Sequence, residues 1–295
     1  MKAYVVNPLA MLGLQMGYNR PLDRHDWDGQ GGHVPDWAGC YAPGIGEPRR
    51  FSNVSLLAGT HAASVDMYNF ETTQRMALGS IAITRDGRVF RYAQAGSVTL
   101  VPGNLIQGFA KIPNHLANTP PAVAIGATSF VYTPGASTGV ANQYQEGTLV
   151  VDTTPGNGYA YAISGHPAIA SSTAFTLQLA EPIQVALTTS SRVGLHGNPW
   201  KLVVQCPTTI TARVCGAAVS PMTDSTYGWL QTRGPAAMLI NGTPAITSPV
   251  ANSGTTAGAV DVWTTAAAAV VVTPVGYMMQ VGVSGKNNAV FLTID

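Results

Sequence analysis

Charged residues are scarce in this chain of 295 residues. Asp, Glu, Lys and Arg together make up 10% of it, against about 25% in a typical soluble domain. Between Pro121 and Ser191 the only charged residues are Glu146, Asp152 and Glu181. A soluble protein that stands alone usually keeps a charged surface, which prevents association. The scarcity of charge therefore favours a chain that hides part of its surface against partner proteins.

The charge balance and the lack of long apolar runs exclude two classes of partner. The formal net charge is +1, whereas direct nucleic-acid binding requires a clustered basic face that neutralises phosphates. Residues 1–16 are apolar in patches but are interrupted by Pro8, and Ala266–Val272 is too short to cross a bilayer. We therefore expect neither a nucleic acid nor a membrane as partner.

Cysteine is rare, and its spacing indicates no disulfide framework. The three cysteines are Cys40, Cys206 and Cys215, and no two of them form a Cys-x-x-Cys pair. A disulfide framework uses an even and larger number of cysteines. We expect three free thiols and synthesis in a reducing compartment, such as the cytoplasm of a bacterial host.

Turn-forming and β-branched residues are abundant and predict a mainly β fold. The chain holds 32 Gly and 20 Pro, and such residues delimit short strands. Ile81–Thr84 and Val89–Tyr92 flank Asp86-Gly87, the strongest short-range hairpin signal, for which we expect a type I′ turn. The fold class predicted is β-sandwich or β-barrel domains with an extended N-terminal arm and at most one short helix.

Further strands are predicted where apolar or β-branched runs lie between Gly and Pro residues. They are 98–101, 105–110, 123–132, 148–152, 159–164, 175–179, 183–187, 209–215, 227–231, 236–240, 259–262, 270–273, 276–282 and 290–294.

The composition changes along the chain and divides it into three parts. Residues 1–75 are dense in turn signals and form the arm, in which Asn53–Arg75 carries a weak helical periodicity. Residues 76–205 form a β-rich domain, and residues 206–295 form a C-terminal β-barrel or sandwich. The sequence leaves open whether the last two are separate or interleaved.

One stretch matches the sequence pattern of a catalytic serine. Gly135-Ala136-Ser137-Thr138-Gly139 fits Gly-x-Ser-x-Gly, which forms a nucleophile elbow only between a strand and a helix. Pro134 precedes the motif, and no helical pattern follows it. Because the chain is rich in Gly and Ser, we interpret the motif as a surface loop and expect no catalytic residue.

Candidate metal ligands and histidines also favour structural interpretations. One group of acidic residues and histidines lies close together in the arm: Asp23, His25, Asp26, Asp28, His33 and Asp36. Their spacing fits neither a calcium loop nor paired ligands on a helix, so we expect no metal and no cofactor. The other histidines are isolated in sequence: His61, His115, His166 and His196. A histidine beside Gly or Pro, as in Gly165-His166-Pro167, is interpreted as a turn residue.

Three tryptophans lie in the β-rich stretches, at Trp200, Trp229 and Trp263. Flat aromatic side chains can form a platform for sugar rings. Core or interface anchors are the more common use of Trp, and we favour that interpretation.

Several stretches resemble structural proteins of tailed phages. They are Thr73-Gln74-Arg75 with Leu78-Gly79, Asp86 to Ala93, Leu100 to Gly103, Tyr227 to Ala236, Gly258-Ala259-Val260, Gly276-Tyr277 and Val290 to Asp295. Together they span roughly residues 72–295, and it is their order and spacing, more than any single motif, that carries the similarity. The resemblance implies a virion protein that clamps the major capsid protein, and it implies no catalytic residues.

Taken together, these features predict a capsid cement protein rather than an enzyme. Icosahedral shells offer three-fold positions, so we expect a homotrimer on the outside of the capsid. The candidate capsid-contact residues are those of the arm: Tyr18, Trp27, Trp37, Tyr41, Arg49 and Arg50. Two alternatives remain, a tail, fibre or vertex protein that binds host glycans, and a hydrolase that uses Ser137 or a histidine.

Overall fold

Strands make up the regular structure of the molecule. The structure is a computed structural model that describes residues 2–6, 65–84, 86–263 and 274–295. Within these ranges there is no α-helix, and the only helical element is one 3-10 turn at Pro113–His115. The sheets are antiparallel and curl into a half-barrel. The prediction of a mainly β fold is confirmed.

The strands are numbered in chain order. They are β1 Lys2–Val6, β2 Val65–Asp66, β3 Ile81–Thr84, β4 Val89–Gln94, β5 Leu105–Gln107, β6 Ser129–Tyr132, β7 Thr148–Thr153, β8 Ala160–Gly165, β9 Phe175–Leu179, β10 Arg192–His196, β11 Val204–Gln205, β12 Val214–Ala218, β13 Tyr227–Leu239, β14 Pro249–Asn252, β15 Val260–Val262, β16 Gly276–Met278 and β17 Asn287–Thr293.

The strands form one large sheet and one small sheet. The large sheet has twelve strands, nine of them in the order β15-β14-β16-β17-β13-β4-β3-β1-β2, with β12 joined to β13 and β5, and β5 joined to β11. The small sheet has five strands in the order β10-β7-β8-β9-β6. The chain leaves the large sheet after β5, builds the small sheet, and returns at β11.

The small sheet owes its form to alternating side chains. In β9 the residues Phe175, Leu177 and Leu179 are buried, whereas Thr176 and Gln178 are exposed. Successive side chains of a strand point to opposite faces, so this period of two gives the sheet one apolar face. That face packs around buried aromatic and aliphatic residues in a core of its own.

The longest strand, β13, joins two parts of the large sheet. Its first half pairs with β4 and its second half with β17. Two strands are predicted here, at 227–231 and 236–240, but the structure has one strand of 13 residues. Ile294 N donates to Thr232 O (3.0 Å), so these two residues are a hydrogen-bonded pair at the end of the ladder between β13 and β17. Bonded and non-bonded pairs alternate along antiparallel strands, which makes Pro235 and Phe291 a non-bonded pair. The Pro235 nitrogen therefore points away from β17, and its missing N–H costs no bond between the strands.

The predicted hairpin of β3 and β4 forms, but its turn is of a different type. Gly87 N donates to Thr84 O (2.9 Å), and Thr84 N donates to Arg88 O (2.9 Å). These bonds close a three-residue loop, and among its described residues only Gly87 has positive φ, at 82°. The prediction of type I′ is therefore wrong, because that turn requires positive φ at Asp86 as well.

Other local predictions are corrected by tertiary contacts. Predicted strands at 98–101 and 183–187 are loops, in which Leu100 and Ile183 are buried anchors. The helix predicted over Asn53–Arg75 is absent from its described part, residues 65–75. There Asp66 Oδ1 accepts a hydrogen bond from Tyr68 N (3.0 Å), a local bond that competes with helix formation.

Glu146 ties the two sheets together. It lies before β7 in the small sheet, and its carboxylate accepts hydrogen bonds from Leu78 N (2.7 Å) and from the Gln74 side chain, both next to the large sheet. On the returning segment, Asn198 Nδ2 donates to Glu146 O (3.0 Å). A single acidic residue thus joins the start of the small sheet to the segment before β3 and to the segment that returns to the large sheet.

Candidate interaction surface

An exposed apolar row crosses four strands of the large sheet. Pro235 of β13 lies opposite Phe291 of β17, Phe291 opposite Tyr277 of β16, and Tyr277 opposite Pro249 of β14. Tyr277 is 49% exposed and Phe291 38% exposed. Their chain neighbours Met278, Val290 and Leu292 are buried on the other face, so the alternation of each strand puts this row outside.

A second apolar row runs beside the first. Met279 N donates to Ala289 O (3.0 Å), and Ala289 lies opposite Ala237 of β13. Met279 is 43% exposed. We call the two rows together the outer apolar face; its residues are Pro235, Ala237, Pro249, Tyr277, Met279, Ala289 and Phe291.

Two loops extend the outer apolar face at one end. The loop after β13 and the loop after β16 are joined because Gly282 N donates to Pro244 O (2.8 Å). A Cβ on Gly282 would lie 2.6 Å from Pro244 Cδ, so glycine lets the loops touch. Ile246, Val281 and Val283 are each more than half exposed on these loops. Clusters of exposed apolar side chains of this kind mark interaction sites.

No charged residue belongs to the outer apolar face. Arg233 lies one rung further along β13, opposite Thr293. Asp261 of β15 is held by Asn241 Nδ2 at 2.5 Å and by Val262 N at 2.7 Å. The seven residues of the face thus carry no charge whose burial would have to be compensated, and the one charged residue of β13 is Arg233 at its border.

The contact residues predicted from the sequence lie outside the described residues. This holds for Tyr18, Trp27, Trp37, Tyr41, Arg49 and Arg50, and also for the acidic and histidine group at residues 23–36, for His61 and for Cys40. Those predictions remain predictions. In the described ranges no group of three or more His, Cys, Asp or Glu is arranged to hold a metal ion.

Ser137 lies in a loop between β6 and β7, with no helix after it among the described residues. Its hydroxyl accepts a hydrogen bond from Asn114 Nδ2 (2.9 Å). His115 Nε2 lies 3.1 Å from the backbone oxygen of Ser137, not from the hydroxyl. The Gly-x-Ser-x-Gly stretch is thus a loop and does not form a nucleophile elbow.

Two of the isolated histidines are buried in one hydrogen-bonded cluster. His115 Nδ1 lies 2.6 Å from the Tyr144 hydroxyl. His166 Nε2 accepts from Tyr144 N (2.9 Å), and its Nδ1 lies 2.7 Å from Pro167 O, which fixes a neutral ring with the proton on Nδ1. Burial lowers the pKa of His166. Both histidines are buried: His115 ends the 3-10 turn at Pro113–His115, and His166 directly follows β8.

Burial also dominates the tyrosines of this cluster. It raises the pKa of Tyr132 to about 12 and raises that of Tyr144 still further. The Tyr132 hydroxyl donates to His115 O (2.8 Å) and accepts from Asn118 Nδ2 (2.7 Å). These hydroxyls therefore stay protonated and serve as fixed hydrogen-bond partners inside the small sheet.

Two cysteines and two tryptophans are buried or partly buried in the large sheet and its loops. Cys206 and Cys215 are free and buried. Trp229 is buried against Tyr92, with ring centroids 5.3 Å apart. The Arg91 guanidinium lies 5.0 Å above the partly buried ring of Trp200. Among the described ranges, no helix is both long and apolar enough to cross a bilayer.

Sequence reasoning missed the outer apolar face, although a local signal for it exists. Tyr277 and Phe291 both fall inside predicted strands. Alternation sets Phe291 apart from Val290 and Leu292, but only the register between β16 and β17 shows that it meets Tyr277.

Comparisons of the chain with protein-family models, with curated proteins and with solved structures find no match. The surface described above therefore has to be interpreted from the residues of this chain alone.

Proposed function

We propose that this chain is a capsid cement protein, which binds the outside of a tailed-phage head and stabilises contacts between subunits of the major capsid protein. The observation that carries the proposal is the outer apolar face, a two-row surface without charge on four strands of the large sheet. The sequence resemblance to structural proteins of tailed phages supports the same role.

A protein that holds capsid subunits together needs a broad apolar contact surface, and the outer apolar face is of that kind. A cement protein must hold two neighbouring subunits, and it gains most from broad contact that buries apolar area. Tyr277 and Phe291 are aromatic side chains of the kind that anchor protein interfaces. A homotrimer at three-fold positions would present three copies of the outer apolar face to the shell.

In this proposal the N-terminal arm provides a second contact with the capsid. Tyr18, Trp27, Trp37 and Tyr41 would dock on the shell, and Arg49 and Arg50 would meet acidic patches. The structure places Lys2–Val6 in strand β1 of the large sheet rather than in an extended arm. Deletion of residues 7–50, which spares β1, should abolish decoration while leaving the sheets folded. Full decoration by the truncated protein would refute the role of the arm.

Copy number in purified particles tests the role most directly. Band intensities relative to the major capsid protein should correspond to hundreds of copies per particle. A handful of copies would instead identify a tail, fibre or vertex protein, for which glycan binding is the function to test. Absence from particles would refute both virion roles.

A substitution then tests the outer apolar face itself. Tyr277→Lys should weaken binding to undecorated capsids by roughly tenfold or more, because it places a charge in the centre of a desolvated contact. Val140→Lys is the matched control, since Val140 is 63% exposed on a loop of the small sheet. Equal binding by the two variants, both folded, would show that the shell contacts another surface.

A further inference from the structure

Strand β6 is an open edge of the small sheet. It pairs on one side with β9. Leu179 N donates to Thr128 O (2.8 Å), so Thr128 and Leu179 form a hydrogen-bonded pair. Bonded and non-bonded pairs alternate along antiparallel strands, so Ser129 and Val131 fall in non-bonded pairs. Their N–H and C=O groups therefore point away from β9. No described residue forms a hydrogen bond with these outward groups.

Two other sheet edges are covered by the chain itself. At β10, Val193 and Asn118 exchange two backbone bonds of 2.9 Å each. At β15, Asn241 N donates to Val260 O (2.8 Å). Proteins usually protect sheet edges in such ways, because an open edge recruits another strand. Edge β6 therefore stands out against the edges that the same molecule protects.

The side chains along β6 offer no protection either. Thr128, Ser129, Val131 and Thr133 are exposed. Residues 127–133 contain no charged residue and no proline, the residues that usually block the addition of a strand. Val131 is 50% exposed beside the outward backbone groups. The edge is therefore both sterically open and uncharged.

We propose that β6 pairs antiparallel with β6 of a second copy of this chain. A two-fold axis at Phe130 would place Ser129 opposite Val131 of the second copy, and the reverse. Each of these two pairs would exchange two backbone bonds, giving four in all and satisfying the outward groups of both residues. The two small sheets would become one sheet of ten strands.

Two features favour a second copy over an unrelated strand. The buried side chains of Phe130 and Tyr132 hold β6 in place over its own core, so a slip of one residue, which would oppose groups already bonded to β9, is excluded. A second copy presents the same two outward residues at the same spacing, so the pairing centred on Phe130 leaves none of their groups unbonded. Two identical uncharged strands also bring no like charges together. Because the pairing needs no capsid, it goes beyond the proposed function.

Analytical ultracentrifugation of the full chain without capsids tests this pairing. Val131→Pro removes an outward N–H while keeping every bond to β9. Val131→Pro should raise the dissociation constant of the β6-dependent association by about tenfold or more. At a concentration at which the parent chain is associated, the largest species of the variant should have half the mass of the parent's. Val131→Lys should act in the same direction through charge, whereas Val131→Thr, which keeps the N–H and the shape, should associate like the parent chain.

Val140→Lys is the control for an exposed valine away from the edge, and near-ultraviolet circular dichroism confirms that each variant is folded. Unchanged association of folded Val131→Pro and Val131→Lys would overturn the proposal, and so would a parent chain without a β6-dependent step. Capsid binding is a separate measurement: a Val131→Pro protein that still coats capsids leaves the proposed function intact.

Discussion

Acidification should destabilise the small sheet through His166. Its Nε2 accepts a hydrogen bond from Tyr144 N, and its Nδ1–H donates to Pro167 O. A second proton would therefore have to enter at Nε2, where it would face an N–H donor in a buried site. The titratable groups close enough to act on this ring are Lys201 and His115, and both disfavour its positive charge.

The sign and size of the effect follow from linkage. Burial holds the pKa of His166 below its ordinary value of about 6.5. The unfolded chain therefore binds more protons than the folded one as pH falls, so stability is present above pH 6.5 and is lost below it. The loss between pH 7.5 and 5.5 has an upper bound of about 1.4 kcal/mol, which is reached when the folded ring stays neutral over the whole range.

The variant His166→Gln isolates this contribution. A glutamine amide keeps one acceptor and one donor but does not titrate. Urea unfolding at several pH values gives the free energy of unfolding of both proteins. The parent should lose more stability than the variant between pH 7.5 and 5.5, by at most about 1.4 kcal/mol. Parallel pH profiles would refute the assignment of a neutral buried His166.

Two further predictions concern close packing in the large sheet. Gly276→Ala should lower the melting temperature by several degrees, because its Cβ would lie 2.2 Å from Phe291 O, whereas Gly254→Ala, with nothing within 4 Å, should change it little. Burial raises the pKa of Cys215 to about 12 and that of Cys206 further, so both thiols should react with Ellman's reagent only after unfolding in denaturant. Fast labelling of either thiol in the folded protein, located by mass spectrometry, would contradict their burial.

Local patterns were enough to predict several strands. Strand β9 is predicted with its exact bounds, because Phe175, Leu177 and Leu179 alternate with polar residues. The hairpin at Asp86-Gly87 is also found, since the turn signal lies between two β-rich runs. Its turn type is not, because Asp-Gly suits both a type I′ turn and a three-residue loop that ends in glycine.

Strands that depend on distant contacts were missed. Strand β10 contains Gly194, which weakens any local β signal. In the structure a Cβ at Gly194 would lie 3.3 Å from Leu116 Cδ2, a tight contact with a residue far away in the sequence. Strand β14 begins at Pro249, a residue that marks a loop in a sequence but is tolerated at the first position of a strand. A short window of sequence shows neither the contact of Gly194 with Leu116 nor the pairing of Pro249 with Tyr277.

The candidate surfaces were less predictable than the fold. The expectation of partner proteins rested on the low charge of the chain, which does not say where on the surface such partners would bind. The outer apolar face depends on register among four strands, and the open edge depends on which strand of the small sheet is last. Both are products of non-local pairing, which a single sequence does not encode in any short window.

Several of the few carboxylates in this chain bond to groups of the same chain, and this bears on the outer apolar face and on the β6 edge. Asp295 pairs with Arg91 at 2.7 Å, Glu181 accepts from Ala162 N at 2.9 Å, and Glu146 holds the segment at Leu78. Because these acidic groups are engaged within the chain, they leave wide areas of both sheets neutral. Neutral surfaces can meet without matching of charges, and such contacts depend little on salt. The outer apolar face lies on the large sheet and the β6 edge on the small one, so in the proposed cement role one copy would contact two neighbours at once.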